Sequence, residues 1–481
     1  MSLFKINRNT PFWLFAIAVT IGLTLPVLIQ DGMFMDAMLY TSVAHNMSQD
    51  FGTFWFPQFS LNNMAGLTSF HEQPPLVFWI QSLFFRLLGD SMYVERFYTF
   101  LTLAITAALI IIFWRKINKD NPEIIPTSWL PVVLWITIPV CFWSYSNNMH
   151  ENTMGIFTLV SVFLLYKAIT SEGYHILLLI VSGIFIFLAT LSKGIPGFFP
   201  ISVPFLYWLI VRKSSFSKAV VQTVIVTLIP VLIYVVLILI PESCESLSTY
   251  LYKRVLNRIN EVPTVDNRFY ILGRLFMELL PQIILMAIVV VIARVKKLNT
   301  KLKPNYKLAG FFMAVGLSSS APLMLTMVQK GFYFVPSLPF FALGFSLLIA
   351  PFMAYWIMKL DIKSLKYKVY LWMGILLLAG ALGYTVSRVG HTSRNSEMLH
   401  DVYVIGKIIP AKSAVSIPSE MWNDWGLQCY LIRYFSISID VNYTRPYFVL
   451  DKNISIPDSM LTGYTKMNLE TQQYDIYAKN E

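Results

Sequence analysis

Carboxylates next to apolar segments are the first residues in this sequence with a clear capacity for chemistry. Asp36 begins a helical pattern, Glu72 precedes a Pro-Pro pair, and Glu151 precedes the apolar run 153–170. A carboxylate at the amino end of a helix stays ionised and can accept a proton from a nucleophile. All three acids are therefore candidates for proton transfer or for its support.

The same acids have structural roles as alternatives. Spacing alone favours Asp36 as a helix N-cap. Glu151 has two equally weighted interpretations. It is either a helix cap or a functional residue at the membrane boundary, where a carboxylate needs a partner or a water-filled cavity. His71 and Glu72 are adjacent, which is a weak metal pattern and fits a solvated pair.

Basic residues recur in the connections that carry these acids. Lys193 lies in a turn rich in Gly and Pro, and the segment 252–270 sets cations among aromatic residues. Lys193 either reaches lipid headgroups or binds an anion, and cations at an outer interface suit phosphate. The candidate phosphate-binding residues are Lys193, Arg258, Arg268, Lys330 and Tyr333.

This combination of acids and cations favours transfer from a phosphate carrier. A carboxylate deprotonates the attacking group while cations stabilise the departing phosphate. A transporter would place ionisable residues near the bilayer midplane, but the middles of the apolar runs are almost free of charge. The chain also contains no GxSxG, Walker A or HExxH string. The sequence therefore gives no support for a serine hydrolase, a P-loop enzyme or a zinc metalloprotease.

The composition requires a membrane around these residues. Of 481 residues 56% are hydrophobic and only 13% are charged, against about 25% charged in soluble domains. The net charge of +11 is spread along the loops, so we predict membrane lipids as neighbours and no nucleic-acid partner. The three cysteines are far apart, without CxxC spacing, and support neither a disulfide framework nor a thiolate metal site.

Eleven apolar runs approach the twenty or so residues that a membrane helix needs. We predict an all-α polytopic protein with about eleven spans, a count uncertain by one or two because several runs are closely spaced. The runs are 11–30, 94–114, 129–145, 153–170, 174–191, 195–211, 219–240, 273–293, 308–327, 332–357 and 369–387.

The first connection, residues 31–93, is long enough to have a function of its own. Within it, Leu39, Val43 and Met47 share one helical stripe, and a second apolar stretch covers 77–88. Both segments are too short or too polar to span, so we predict two helices in the membrane interface.

Loop charges predict the orientation. Lys and Arg gather in alternate connections and acids in the others, which places the N-terminus in the cytoplasm. Eleven crossings then put the C-terminal segment outside. We therefore predict a membrane domain over 1–389 and a small extracytoplasmic α/β domain over 390–481, with strands near 414–417 and 447–450.

Five motifs resemble, in order, those of bacterial C-fold (GT-C) glycosyltransferases, the protein O-mannosyltransferases and lipid A aminoarabinose transferases. Residues 36–47 resemble their Asp-Glu-Ala-Arg-Tyr string, and 71–76 resemble Phe-Glu-Lys-Pro-Pro-Leu. The remaining matches are 151–153 with Asp-Thr, 191–194 with Leu-Thr-Lys-Gly, and 330–339 with Lys…Tyr…Leu-Pro…Pro.

The resemblance implies an enzyme of the bacterial inner membrane that transfers a sugar, with inversion, from a polyprenyl-phosphate donor to an extracytoplasmic lipid, protein or glycan. It suggests Asp36 as catalytic carboxylate, Glu72 and Glu151 as supporting acids, and Lys193 and Lys330 as phosphate contacts. Arg258 and Arg268 come from charge and placement. We add Tyr333 as a phosphate contact, and Tyr40, His71 and His150 as acceptor or cavity residues.

Two positions depart from the family pattern. Ala37 replaces the acid after the catalytic Asp, and Gln73 replaces the Lys of the Lys-Pro-Pro string. Because both changes remove a charge, the resemblance assigns no particular branch. Some relatives bind a divalent metal near the position of Glu72, but this sequence shows no ligand set that requires a metal or another cofactor.

Two other classes of function stay open. A transporter or flippase for a lipid-linked or anionic solute would use the first outer connection as a lid. A catalytically idle scaffold of an envelope complex would account for the charges lost at Ala37 and Gln73.

Overall fold

The computed structural model describes residues 7–61, 69–173, 175–256, 263–298 and 302–480. Its helices, in chain order, are α1 (Thr10–Leu28), α2 (Met35–Ser48), α3 (Leu76–Leu88), α4 (Tyr93–Ile117), α5 (Trp129–Ile136), α6 (Pro139–Tyr145), α7 (His150–Thr170), α8 (Ile176–Lys193), α9 (Val203–Val211), α10 (Phe216–Ile238), α11 (Pro241–Thr249), α12 (Tyr270–Val295), α13 (Tyr306–Ser320), α14 (Leu338–Met358), α15 (Leu365–Ser387), α16 (Ser396–Ile408) and α17 (Trp425–Phe435).

Contacts divide the chain into two compact units. The helical unit comprises Met1–Leu28, Thr99–Ser146 and Glu151–Val389. The mixed unit comprises Ile29–Tyr98, Asn147–His150 and Gly390–Glu481. The first outer connection is therefore grouped with the C-terminal residues, an arrangement that the sequence did not predict.

Nine helices in the described ranges are long and apolar enough to cross a membrane, or ten if one bent pair counts as a single span. The bent pair joins residues Ile125–Ile136 to Pro139–Tyr145 at 88°. Of the eleven predicted spans, 129–145 is this broken pair, and 195–211 is a shorter helical stretch, Ile195–Val211. The predicted number exceeds the nine to ten observed because local hydropathy does not detect a bend.

Small residues set the closest helix packing in the helical unit. Helices α1 and α15 lie side by side, and a Cβ atom on Gly374 would come 2.9 Å from the Cβ atom of Leu14. Gly22 faces Ala381 in the same pair. Without a hydrophobic drive between helices in lipid, such close backbone approach supplies the packing energy.

A five-stranded sheet forms the C-terminal part of the mixed unit, in the order β2-β1-β3-β5-β4. The strands are β1 (Ala414–Ser416), β2 (Ser438–Asp440), β3 (Tyr447–Asp451), β4 (Tyr464–Lys466) and β5 (Tyr474–Lys479). β1 pairs in parallel with β2 and β3, whereas β5 runs antiparallel to β3 and β4. With α16 and α17 this sheet confirms the predicted small α/β fold.

The two helices predicted in the first outer connection are α2 and α3. The sequence stripe suggested that α2 buries one face, but every residue from Ala37 to Met47 is buried. The reason lies in its neighbours, since α3 and α17 both pack against α2.

A neutral network of two arginines and two carboxylates lies buried in the mixed unit. Arg96 contacts Glu95 at 3.1 Å and Asp31 at 3.5 Å, and Arg433 contacts the other oxygen of Glu95 at 2.8 Å. The side chains of Glu95, Arg96 and Arg433 are at most 3% exposed. Charges this deep are tolerated only when each has its partner.

Three tyrosines complete this network. The hydroxyls of Tyr403 and Tyr434 each donate to one oxygen of Asp31 at 2.6 Å. Their rings stack at 5.7 Å, and Tyr430 stacks on Tyr434 at 6.1 Å. Burial raises the pKa of Tyr434 well above its usual range, so its hydroxyl keeps the proton that it donates to Asp31.

Replacing Arg433 by Met should unfold the mixed unit more easily, because Glu95 would keep a buried charge with one partner fewer. We expect a loss of about 3 to 5 kcal/mol, measured by thermal or denaturant unfolding in detergent micelles. The control is Arg86→Met, which breaks a surface pair with Asp50 and should cost about 1 kcal/mol or less. Equal losses in the two variants would contradict the role of the buried network.

Candidate active site

A turn of two asparagines positions the start of α7 within the mixed unit. Asn147 Oδ1 accepts a hydrogen bond from the Phe34 backbone N–H at 2.8 Å. Asn148 and Gln81 exchange amide hydrogen bonds of 2.8 and 3.0 Å, and Asn148 also donates to Thr41 at 2.9 Å. The turn is thus bound to α2, to α3 and to the residue before α2.

These bonds place His150 against aromatic neighbours. Its ring lies 4.3 Å from the ring of Tyr40 and 4.7 Å from that of Phe78. The Tyr40 hydroxyl accepts a hydrogen bond from the Gln73 amide at 3.3 Å. The structure therefore brings together Tyr40, His150 and the segment that follows Glu72.

Asp36 occupies the first turn of α2 and is half-buried. The N-cap interpretation of this residue is wrong, since the N-cap position belongs to Phe34 and no side chain caps the helix there. Across the described residues, the Asp36 carboxylate forms no hydrogen bond and no ion pair. A carboxylate here benefits from the helix dipole and keeps its oxygens for another molecule.

The buried thiol of Cys429 in α17 is affected by the negative charge of Asp36. Burial raises the pKa of the Cys429 thiol, and the negative charges of Asp36 and Asp424 add to the effect. The Ser42 hydroxyl donates to the Cys429 carbonyl at 3.0 Å. Helix α17 therefore supports the face of α2 near Asp36.

His71 and Glu72 differ in their surroundings. His71 is buried, with its Nε2 atom 2.5 Å from the Ser69 hydroxyl and its ring edge against Phe56. Glu72 is half-buried. The interpretation of this dipeptide as a solvated pair is thus wrong for His71.

Within the helical unit, Glu151 and Lys193 form an ion pair at 3.2 Å. Both side chains are buried, at 1% and 7% exposed, so Lys193 does not extend toward headgroups. Lys193 is the last residue of α8, where a cation is stabilised by the helix dipole. Gly194 then turns the chain with a positive φ of 81°, and its α-carbon lies against the Tyr250 hydroxyl, leaving no space for a side chain.

A basic corner of the same unit surrounds the segment that contains Lys330 and Tyr333. Gln329 joins this segment to residues 264–271 by hydrogen bonds to the Ile271 N–H and the Arg268 carbonyl. The Arg268 guanidinium donates to the Leu325 carbonyl at 2.8 Å. Lys330 is exposed and Tyr333 half-exposed, whereas Arg258 lies outside the described residues.

Arg274 and Glu278 of α12 also lie in this basic corner, and the sequence did not predict them as site residues. They pair at 2.7 Å, and the other oxygen of Glu278 accepts the Val140 N–H at 2.8 Å beside the α5–α6 bend. A Cβ atom on Gly331 would lie 3.6 Å from Arg274 Nε, so this half-exposed guanidinium borders the Lys330 segment. An Arg and a Glu four residues apart in an apolar span were the available signal.

The described ranges contain no group of three or more His, Cys, Asp or Glu side chains that could hold a metal ion. The mixed unit contains the Asp36 carboxylate and the neighbouring rings of Tyr40 and His150, and the helical unit contains the cations. A carboxylate can accept a proton, and cations can neutralise a phosphate.

Part of this chain matches a known family, and its fold matches solved structures. Residues 72–239 match the family described as dolichyl-phosphate-mannose-protein mannosyltransferase. ArnT from Cupriavidus metallidurans bound to undecaprenyl phosphate superposes with a TM-score of 0.61 at 14% identity, over 97% of this chain and 97% of that chain. The chain therefore has the fold of ArnT over almost its whole length, and about a third of it matches a mannosyltransferase family.

ArnT from the same organism in the apo state superposes on this chain with a TM-score of 0.60 at 14% identity, over 96% of each chain. A search of curated proteins finds no match. The family match includes Glu72, Glu151 and Lys193, whereas Asp36 and Lys330 lie outside it. The predicted fold class is confirmed, and the matched family is of the kind that the motifs resemble.

Lys193→Met should lower stability by about 3 to 5 kcal/mol, because Glu151 would keep a buried charge without its ion-pair partner. The double variant Glu151→Gln/Lys193→Met removes both charges and should recover most of the loss. Thermal unfolding in micelles measures both effects. Lys330→Met, at an exposed position, serves as the control, and a fully stable Lys193→Met variant would contradict the importance of the pair.

Proposed function

We propose that this protein transfers a sugar, with inversion, from a polyprenyl-phosphate carrier to an extracytoplasmic acceptor. A hydroxyl or amine of the acceptor attacks the anomeric carbon while the bond from that carbon to the phosphate oxygen breaks. The acceptor proton passes to Asp36, and the polyprenyl phosphate leaves with the bonding electron pair. No further co-reactant is needed.

The half-buried carboxylate of Asp36 is the observation that carries this proposal. It lies in the first turn of α2, and its oxygens form no bond within the described ranges. The neighbouring acids are engaged, since Asp31 accepts bonds from two tyrosines and Glu151 pairs with Lys193. A general base must have an oxygen free for the nucleophile.

The cations are assigned to the phosphate of the donor. Lys330 and Arg274 are accessible and border one segment of the helical unit, while Lys193 lies buried beside Glu151. We assign Lys330, Arg274 and Tyr333 to direct phosphate contact, and the Glu151–Lys193 pair to orientation of that region. Undecaprenyl phosphate, which is bound in one of the ArnT structures, is a carrier of the proposed kind.

The remaining assignments follow from the same mechanism. Tyr40, His71 and His150 would line the acceptor cavity, with Glu72 as a supporting acid. The acceptor class is a glycolipid, a protein or a glycan. We place the enzyme in the inner membrane, with its N-terminus in the cytoplasm and its C-terminal sheet outside.

Replacing Asp36 by Asn should abolish proton acceptance and lower the transfer rate by about 10²- to 10⁴-fold, without changing the unfolding temperature. Transfer is measured in nanodiscs with a labelled polyprenyl-phosphate sugar and extracted envelope acceptors. The matched control is Asp50→Asn, which removes an exposed carboxylate just beyond the same helix.

Full activity of Asp36→Asn would refute its role as base. Movement of the labelled donor across the membrane of sealed vesicles, without cleavage of its sugar bond, would instead support the alternative function of a transporter or flippase.

A labelling experiment tests the orientation. Asn453→Cys in the sheet domain should react with a membrane-impermeant maleimide on spheroplasts, whereas Lys363→Cys between α14 and α15 should react only after lysis, because Lys-rich connections stay inside. The unmodified chain, with Cys141 and Cys429 buried and Cys244 half-buried, gives the background. The reverse labelling pattern would overturn the proposed topology.

A further inference from the structure

A cavity of about 460 Å³ lies in the helical unit, and none of the residues assigned to sugar transfer lines it. It is bordered by the connection after α4, the residues that lead into α13, and the middle of α14. Its volume falls within the range of about 300 to 1,000 Å³ typical of small-molecule sites. It opens at the Lys-rich end of the helices, which the loop charges predict to be cytoplasmic.

The rim of this cavity carries positive charge without a counter-charge. Lys303 and Lys307 line it, as does the N-terminus of α13. The first turn of this 15-residue helix contains no acid and includes Lys307. A lysine is unfavourable next to the positive end of a helix dipole. An anion there would offset the repulsion between Lys307 and the helix dipole and also the repulsion between Lys303 and Lys307.

No carboxylate lines the cavity among the residues that the structure describes. Asp120 and Glu123 belong to the same connection, but their side chains are exposed and do not border the space. The excess of positive charge at the rim is therefore not compensated locally.

The walls are held in place by hydrogen bonds. Asn118, only 3% exposed, donates one amide hydrogen to the Trp114 carbonyl at 3.0 Å. Its side chain forms no other hydrogen bond in the described part of the chain, although it borders the cavity. Asn305 caps α13 by accepting the Leu308 N–H at 3.1 Å. A buried amide with spare hydrogen-bonding capacity at the cavity wall is suited to a polar ligand.

The floor is apolar. Leu347 and Ala350 of α14 are 4% and 1% exposed, and both line the cavity together with Pro351. The glycerol region of a lipid would lie against this apolar floor, whereas a soluble anion would contact only the charged rim.

We propose that this cavity binds the phosphate-containing headgroup of an anionic lipid from the Lys-rich leaflet. The phosphate would lie between Lys303, Lys307 and the amino end of α13, with the glycerol region toward Leu347 and Ala350. Binding would tie α4, α13 and α14 together on the side of the membrane opposite the proposed chemistry. This inference is independent of the proposed sugar transfer.

Retention of lipid by the full chain tests the site. In native mass spectrometry, the protein should keep one phosphatidylglycerol in preference to phosphatidylcholine. Lys303→Gln/Lys307→Gln should weaken this retention by roughly thirtyfold, as expected for two lysines at an anionic surface. The matched control is Lys363→Gln/Lys368→Gln, which removes two exposed lysines at the same end but outside the cavity, and it should change retention less than about twofold.

Two further arms distinguish the source of the phosphate. Ala350→Leu fills the apolar floor without changing charge and should weaken phosphatidylglycerol retention while the unfolding temperature stays within error. Glycerol 3-phosphate in excess should leave the bound lipid in place. Equal losses in the two lysine variants would show general surface attraction and overturn the site, and displacement by glycerol 3-phosphate would overturn the lipid assignment in favour of a soluble phosphate ester.

Discussion

The buried contact between Asp31, Arg96, Glu95 and Arg433 is the constraint on which the mixed unit depends. Two positive and two negative groups share a space almost without water, so each is tolerable only while the others are present. The contact joins the third residue after α1, the first turn of α4 and the C-terminal half of α17. Because α2 begins only four residues after Asp31, the same contact fixes where Asp36 stands.

The asparagine turn applies a second constraint to the same helices. Asn147 and Asn148 are bonded to Phe34, Thr41 and Gln81, so this turn is fixed against α2 and α3. His150 is thereby set against Tyr40. In the helical unit, Glu151 is separately held by Lys193. Adjacent residues in the chain thus carry an aromatic contact in one unit and an ion pair in the other.

Periodicity was enough to predict the elements that form locally. The apolar runs became helices, the segments 37–47 and 77–88 became α2 and α3, and the short strands appeared at 414–416 and 447–451. Bends escaped prediction, because the 88° break before Pro139 leaves the hydropathy of 129–145 unchanged.

Pairings between distant residues also escaped prediction. Nothing in the local sequence links Lys193 to Glu151 or Asp31 to Tyr403, and a spacing rule assigned Asp36 to a cap position that Phe34 occupies. The motif series led to the fold class that the comparisons confirm, whereas spacing within one segment does not specify contacts between distant residues. Arg274 lay outside those motifs and was found only from its contacts.

The bond between Asp31 and the tyrosines of α16 and α17 has a consequence for biosynthesis. Asp31 is made early, but Tyr403 and Tyr434 follow more than three hundred residues later, which at cellular rates of about 5 to 20 residues per second means a delay on the order of a minute. During that interval Arg96 and Glu95 must remain hydrated or be shielded by another protein. The ribosome therefore synthesises the helical unit before the mixed unit, which contains Asp36, can complete its buried contact.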